Sequence, residues 1–137
     1  MFEWNEIYSL EIDIIDKQHK KLFEIGRKLA KLAEEKENPN RLDEILDLIN
    51  ELTDYSVYHF NTEEALFEKY GYENTKVHKE IHEEFINYLK NIRFTEVLND
   101  EDKFINEILK FIGVWILKHI KREDSKYKDF LISKLNE

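Results

Sequence analysis

Every histidine in this 137-residue chain falls into one ligand-like pattern. It reads His19, then His59-x-x-x-Glu63, then His78-x-x-x-His82, then His119-x-x-x-x-Asp124. Each histidine lies on a stripe of apolar residues with the 3-and-4 spacing of a helix. The chain must therefore fold so that four helices bury imidazoles. A buried imidazole without a partner is costly, so these side chains must meet one another or a ligand.

The stripes define the helices. The first is expected from Asp16 to about Glu37, with Ile15, His19, Leu22, Gly26 and Leu29 on one face, and Asn38-Pro39-Asn40 stops it. The second runs from about Arg41 to Tyr70 and ends at Gly71. The third starts after Asn74 or Thr75 and continues to about Arg93. The fourth runs from about Asp102 past His119. A short last helix fits residues 126–135, and residues 1–15 form an aromatic arm with Phe2, Trp4 and Tyr8. Only 3 Gly and 1 Pro occur, too few for a protein of strands and turns. The expected fold is all-α: an antiparallel up-down-up-down four-helix bundle with an N-terminal arm and a short C-terminal helix. It would form a single domain over residues 1–137.

Topology tests the histidine pattern. His19 lies near the start of helix one, and His59 and Glu63 near the end of helix two. His78 and His82 lie near the start of helix three, and His119 and Asp124 near the end of helix four. In an antiparallel bundle all four ends fall at one end of the molecule. At i,i+4, two residues are about 40° apart around a helix and converge. His119 and Asp124 are i,i+5, about 140° apart on an ideal helix. Either a π-bulge or the helix end must turn Asp124 inward, or Glu123 at i+4 takes its place.

Seven nitrogen and oxygen ligands are too many for one metal ion and suit two that share bridges. Imidazole and carboxylate without thiolate suit iron, zinc or manganese. Two octahedral ions joined by two carboxylates and one oxygen bridge leave six positions. Five histidines fill five of them, and the vacancy is sized for a small molecule such as dioxygen. Leu22, Phe60, Trp115 and Ile116 are near enough in sequence to give that vacancy an apolar wall.

Composition excludes other classes. The formal charge is −9 with a pI near 5.1, and no basic stripe is present, so nucleic acid is not an expected partner. The absence of cysteine excludes disulfides and iron–sulfur clusters. No stretch approaches the length of a membrane span, and the N-terminus lacks a secretory pattern. A soluble cytoplasmic protein without membrane insertion is expected. The sequence leaves any protein partner unidentified.

The pattern resembles the hemerythrin family in its single-domain form, the bacteriohemerythrins. The matching stretches are Ile15-Asp16-Lys17-Gln18-His19-Lys20-Lys21-Leu22-Phe23, His59-Phe60-Asn61-Thr62-Glu63-Glu64, His78-Lys79-Glu80-Ile81-His82, and Trp115-Ile116-Leu117-Lys118-His119-Ile120 on to Asp124. The resemblance favours Asp124 over Glu123. It implies two iron ions bridged by Glu63, Asp124 and an oxo or hydroxo group. His78, His82 and His119 would hold one iron, and His19 and His59 the other, where dioxygen would bind. It implies reversible dioxygen binding for storage, transport or delivery, with no catalytic residue. Two alternatives are a di-iron enzyme acting on peroxide, nitric oxide or ferrous iron, and an oxygen-sensing module. No Glu-x-x-His precedes any histidine, unlike the Glu-rich sites of ferritin-like di-iron enzymes. Neutral imidazoles in place of carboxylates stabilise high-valent iron less, which favours the carrier.

Overall fold

Asp13 and Asp16 stand in the first turn of the first long helix, where carboxylates favour the exposed N–H groups. The computed structural model describes residues 2–137. Met1, the first residue of the expected arm, lies outside the described residues. Helix α1 spans Asp13–Glu34, so both ends fall three residues earlier than the apolar stripe suggests. Asp16 is not a cap. Its carboxylate accepts hydrogen bonds from the Leu10 N–H at 2.8 Å and from the Ser9 hydroxyl, which ties the arm to the helix. At the other end the chain turns at Glu35, and the Asn38 N–H donates to its carbonyl at 3.1 Å.

Helix α2 spans Arg41–Tyr70 and α3 spans Thr75–Lys90. Gly71 closes α2 at φ 73°, a left-handed C-cap that glycine adopts without steric cost. A short helix α4, Phe94–Asn99, fills what the stripes leave as a loop. Helix α5 spans Glu101–Lys118, capped by the Asp100 side chain, which accepts from the Lys103 N–H at 3.1 Å. His119–Asp124 then form a π-helical turn, and α6, Ser125–Leu135, follows without a break. The short C-terminal helix is thus a continuation of the fourth.

Helix α1 packs on α2 and α5, and α2 packs on α3, giving an all-helical bundle with no strand among the described residues. Two apolar clusters fill it. The larger holds Leu22, Phe23, Ile45, Phe85, Ile108, Ile112 and Ile116 among others. The smaller holds Ile12, Ile15, Phe67, Tyr72, Tyr127 and Leu131. The buried histidines contact aromatic rings from both. No helix is long and apolar enough to cross a membrane.

The arm is anchored on the bundle. Residues Glu6–Tyr8 form a 3-10 turn capped by Asn5, and Trp4 and Tyr8 meet the Phe23 ring edge-on at 5.5 and 5.0 Å. Phe2 is buried, and Arg27 donates to its carbonyl at 2.7 Å. A Cβ added at Gly26 would stand 2.7 Å from the Phe2 ring, so only glycine leaves room there. Alanine at position 26 gains about 1 kcal/mol of helix propensity. Evicting Phe2 forfeits about 1.5–3 kcal/mol of burial, so the loss wins. Gly26→Ala should lower the melting temperature and speed amide exchange across residues 2–10. Unchanged exchange there with equal or higher stability would overturn this account of the arm.

Candidate metal centre

The seven residues of the pattern are all buried, and Glu63, Asp124 and His19 have no exposed surface. His19 is brought in by the second turn of α1, and His59 and Glu63 by one face of α2. His78 and His82 come from one face of α3. Asp124 comes inward through the π turn that begins at His119. Such a turn bonds residue i to i+5, so residues five apart come onto one side. Glu123 instead lies outside and pairs with Lys126 at 3.0 Å.

The two carboxylates lie among the imidazoles. Asp124 Oδ2 is 3.0 Å from His19 Nε2, while its Oδ1 is 2.8 Å from His119 Nε2 and 2.9 Å from His78 Nε2. Glu63 Oε1 is 2.6 Å from His59 Nε2 and 3.8 Å from His82 Nε2, and its Oε2 is 3.7 Å from His78 Nε2. Two groups of convergent ligand atoms result: Glu63, His78, His82 and His119, and His19, His59, Glu63 and Asp124. Several of these short approaches lack hydrogen-bond geometry. His19 Nε2, His59 Nε2, both Glu63 oxygens and Asp124 Oδ2 are buried without a hydrogen-bond partner. Buried polar atoms are almost always satisfied. Five such orphans turned toward one another fit the donor set of a cation site, and the two groups fit a pair of metal ions.

Two further residues set the ring orientations. His59 Nδ1 donates to Gln18 Oε1 at 2.7 Å, and the Gln18 amide in turn donates to Thr62 Oγ1 at 3.2 Å. His82 Nδ1 donates to Glu64 Oε2 at 2.9 Å. Each bond keeps the proton on Nδ1 and leaves Nε2 facing inward as a lone pair. Ligand spacing does not reveal these partners. Gln18 reaches across helices to a residue 41 positions away, and its only sequence signal is a polar side chain next to His19.

Apolar rings cover part of the cluster. Phe60 stacks on His82 at 3.9 Å and 8°, and Trp115 on His119 at 4.2 Å and 19°. Phe67 and Tyr127 meet His78 edge-on at 5.0 and 5.6 Å. Of the four residues suggested as a pocket wall, Trp115 therefore faces the three-histidine group, and Phe60 lies against both groups, stacked on His82 and tilted at 5.7 Å from His59. Leu22 and Ile116 are buried in the larger apolar cluster.

Electrostatics follow from burial. Desolvation and the adjacent Asp124 push the Glu63 carboxyl upward, but His59 and His82 outweigh them and hold it below its ordinary value. Desolvation also opposes ionised Asp124, yet His119, His19 and His78 hold it well below the usual range. Burial drives His82 down to about 3. Burial presses His78 down too, but its hydrogen bond to Asp124 and the nearby carboxylates raise it.

Comparison with known proteins gives the family. The model of the hemerythrin HHE cation binding domain matches residues 10–131. The chain belongs to the hemerythrin family. It is 38% identical to the bacteriohemerythrin of Clostridium acetobutylicum, over 94% of this chain and 100% of that protein. It is 31% identical to the bacteriohemerythrin of Pseudomonas aeruginosa, over 98% of this chain and 84% of that one. A crystal structure of wild-type hemerythrin superposes with a TM-score of 0.74 at 25% identity, covering 94% of this chain and 96% of that chain.

Two outcomes follow. Asp124→Ala removes the carboxylate that reaches both groups and should abolish stable binding of a metal pair, while Glu123→Ala should leave it intact. Metal analysis of the two purified variants checks this, and the reverse result would refute the inward turn. Acid should destabilise the metal-free protein. His82 has a depressed value in the fold, so its contribution is full above pH 6.5 and is lost as pH falls toward about 3. Glu63 and Asp124, also depressed, lose theirs in the same direction. His78 is raised, so its contribution is complete below pH 6.5 and fades only on the alkaline side. Urea midpoints should therefore fall as pH drops below 6.5. A flat or rising profile would contradict the arrangement.

Proposed function

We propose that this chain is a single hemerythrin-like domain, residues 1–137, that binds dioxygen reversibly at a di-iron centre for storage, transport or delivery. One observation carries the reading: two groups of buried imidazoles share Glu63, and Asp124 approaches histidines of both. His78, His82 and His119 would hold one iron, and His19 and His59 the other. Glu63 and Asp124 would bridge them, together with an oxo or hydroxo group. A ferrous pair, when bound, supplies the electrons for reversible dioxygen binding.

The chain's own residues do the rest. Gln18 and Glu64 keep the protons of His59 and His82 on the outer nitrogens, so each ring presents a lone pair. The family model and the curated relatives support the iron assignment, since a donor set of imidazole and carboxylate alone suits iron, zinc or manganese. The position facing His19 and His59 is the one that five histidines leave open. Leu22 and Ile116 would line it and keep out the water and protons that promote oxidation of the iron. No residue is assigned a catalytic role. We read the protein as cytoplasmic, with dioxygen as its partner.

The test is spectroscopic. Iron-loaded, reduced protein exposed to air should develop a visible absorption band that disappears when oxygen is removed and returns on re-exposure. Metal analysis should give two irons per chain. A band that forms once and does not reverse would favour an enzyme, and a single bound zinc would overturn the reading.

A further inference from the structure

An aromatic stack leads away from the three-histidine group toward the surface. The Trp115 ring lies on His119 at 4.2 Å and 19°. Trp115 meets Phe85 at 4.2 Å, and Phe85 lies nearly parallel to Phe111 at 5.7 Å and 17°. Phe111 in turn stacks on Tyr88 at 3.6 Å and 15°. Tyr88 is 36% exposed, so the series begins on a buried imidazole and ends in solvent. It runs along the seam of α3 and α5, where a cleft of about 320 Å³ also reaches Trp115 and His119.

Two of these residues are readily oxidised, and they stand on either side of the two phenylalanines. Indole gives up an electron without losing a proton, which suits the half-buried Trp115. A phenol must release its proton as it is oxidised, which suits Tyr88 at the surface. Partial burial raises its ordinary value, and the charges of Glu107 and Glu96 add to this. Core packing alone requires apolar volume. It does not require continuous ring contact from a candidate ligand to water, nor an indole and a phenol at the positions that oxidation would use.

We propose that Trp115 and Tyr88 form an outlet for oxidising equivalents, carrying an electron inward from the surface to the three-histidine metal. This rests on the di-iron reading above. In each event the centre, over-oxidised by hydrogen peroxide, gains one electron through His119 from Trp115. Trp115 recovers it from Tyr88, whose phenol loses one electron inward and one proton to water. The resulting tyrosyl radical takes a hydrogen atom from a small reductant in solution, such as a thiol or an enediol. The net change is a one-electron reduction of the centre, with oxidation of that reductant at the surface. The outlet would spare the histidines from oxidation.

The competing site is Tyr127. It is fully buried, lies edge-on to His78 at 5.6 Å and 64°, and has no hydrogen-bond partner for its hydroxyl. A radical formed there would be trapped inside the fold.

The experiment treats the iron-loaded full chain with hydrogen peroxide, freezes it within milliseconds to seconds, and records electron paramagnetic resonance. Oxidised residues are mapped by peptide mass spectrometry. The wild type should give a tyrosyl signal and modification at Tyr88. Tyr88→Phe keeps the stack and should replace that signal with a tryptophan radical at Trp115. Trp115→Phe should abolish both signals and shift modification onto the histidines, with iron content unchanged. Radical and modification at Tyr127, or a Tyr88 signal that survives Trp115→Phe, would overturn the outlet while leaving the di-iron reading intact. Failure of the wild type to bind iron would overturn that reading and the outlet with it.

Discussion

Two carboxylates buried side by side dominate the energetics of this fold. Glu63 and Asp124 have no exposed surface and oppose each other's ionisation. Burying one unpaired charge is costly, and two adjacent like charges cost more. Surrounding them with five imidazoles offsets this in part. The donor atoms left without hydrogen-bond partners measure how far the offset falls short. In the proposed centre, metal cations would complete it, and metal bound only by the native state would stabilise the fold by linkage. The protein then has reason to keep four helix ends in register, since a slip of one residue turns a ligand by about 100° and breaks the set.

That constraint accounts for the least regular part of the bundle. Asp124 is five residues past His119, and a regular helix would point it away from the cluster. The π turn brings it back at the cost of weaker helical hydrogen bonding in a single turn. Its position follows from the same need, since it begins at a histidine and ends at the carboxylate. Beyond it, α6 carries Tyr127 and Leu131 into the smaller apolar cluster, which closes the molecule beside His78.

How much of this the sequence shows depends on whether a feature is periodic. The four long helices are legible because burial of one face imposes a 3.6-residue repeat on them. The convergence of His59 with Glu63 and of His78 with His82 is legible for the same reason. The start of α1 is not, because Asp13 and Ile14 are exposed and lie off the apolar stripe. Nor is α4, six residues long and too short to carry a repeat. Gln18 and Glu64 escape because they act between helices, where register is set by packing rather than spacing. The same holds for Arg41 at the far end of the bundle. It is buried yet pairs with Glu101 and Asp102, about sixty positions away. Phe60 and Trp115 are visible as core residues, but which imidazole each covers is a matter of helix rotation.

Helix rotation also makes the two halves of the cluster unlike. On the three-histidine side, aromatic faces lie flat on His82 and His119, and His82 donates to the Glu64 carboxylate. On the other side, His59 donates to the neutral Gln18 amide, and His19 and His59 meet edge-on at 4.6 Å. A carboxylate acceptor makes its imidazole more basic than an amide does. Of the ligands of the ion held by His78, His82 and His119, His82 would thus be the more electron-rich, and stacked rings enclose it and His119. The ion held by His19 and His59 would be left with fewer histidines, one of them hydrogen-bonded to a neutral amide. Ligand count and outer hydrogen bonding therefore bias the same side toward an exchangeable position. In the proposed centre, that bias agrees with a small-molecule site on the two-histidine ion.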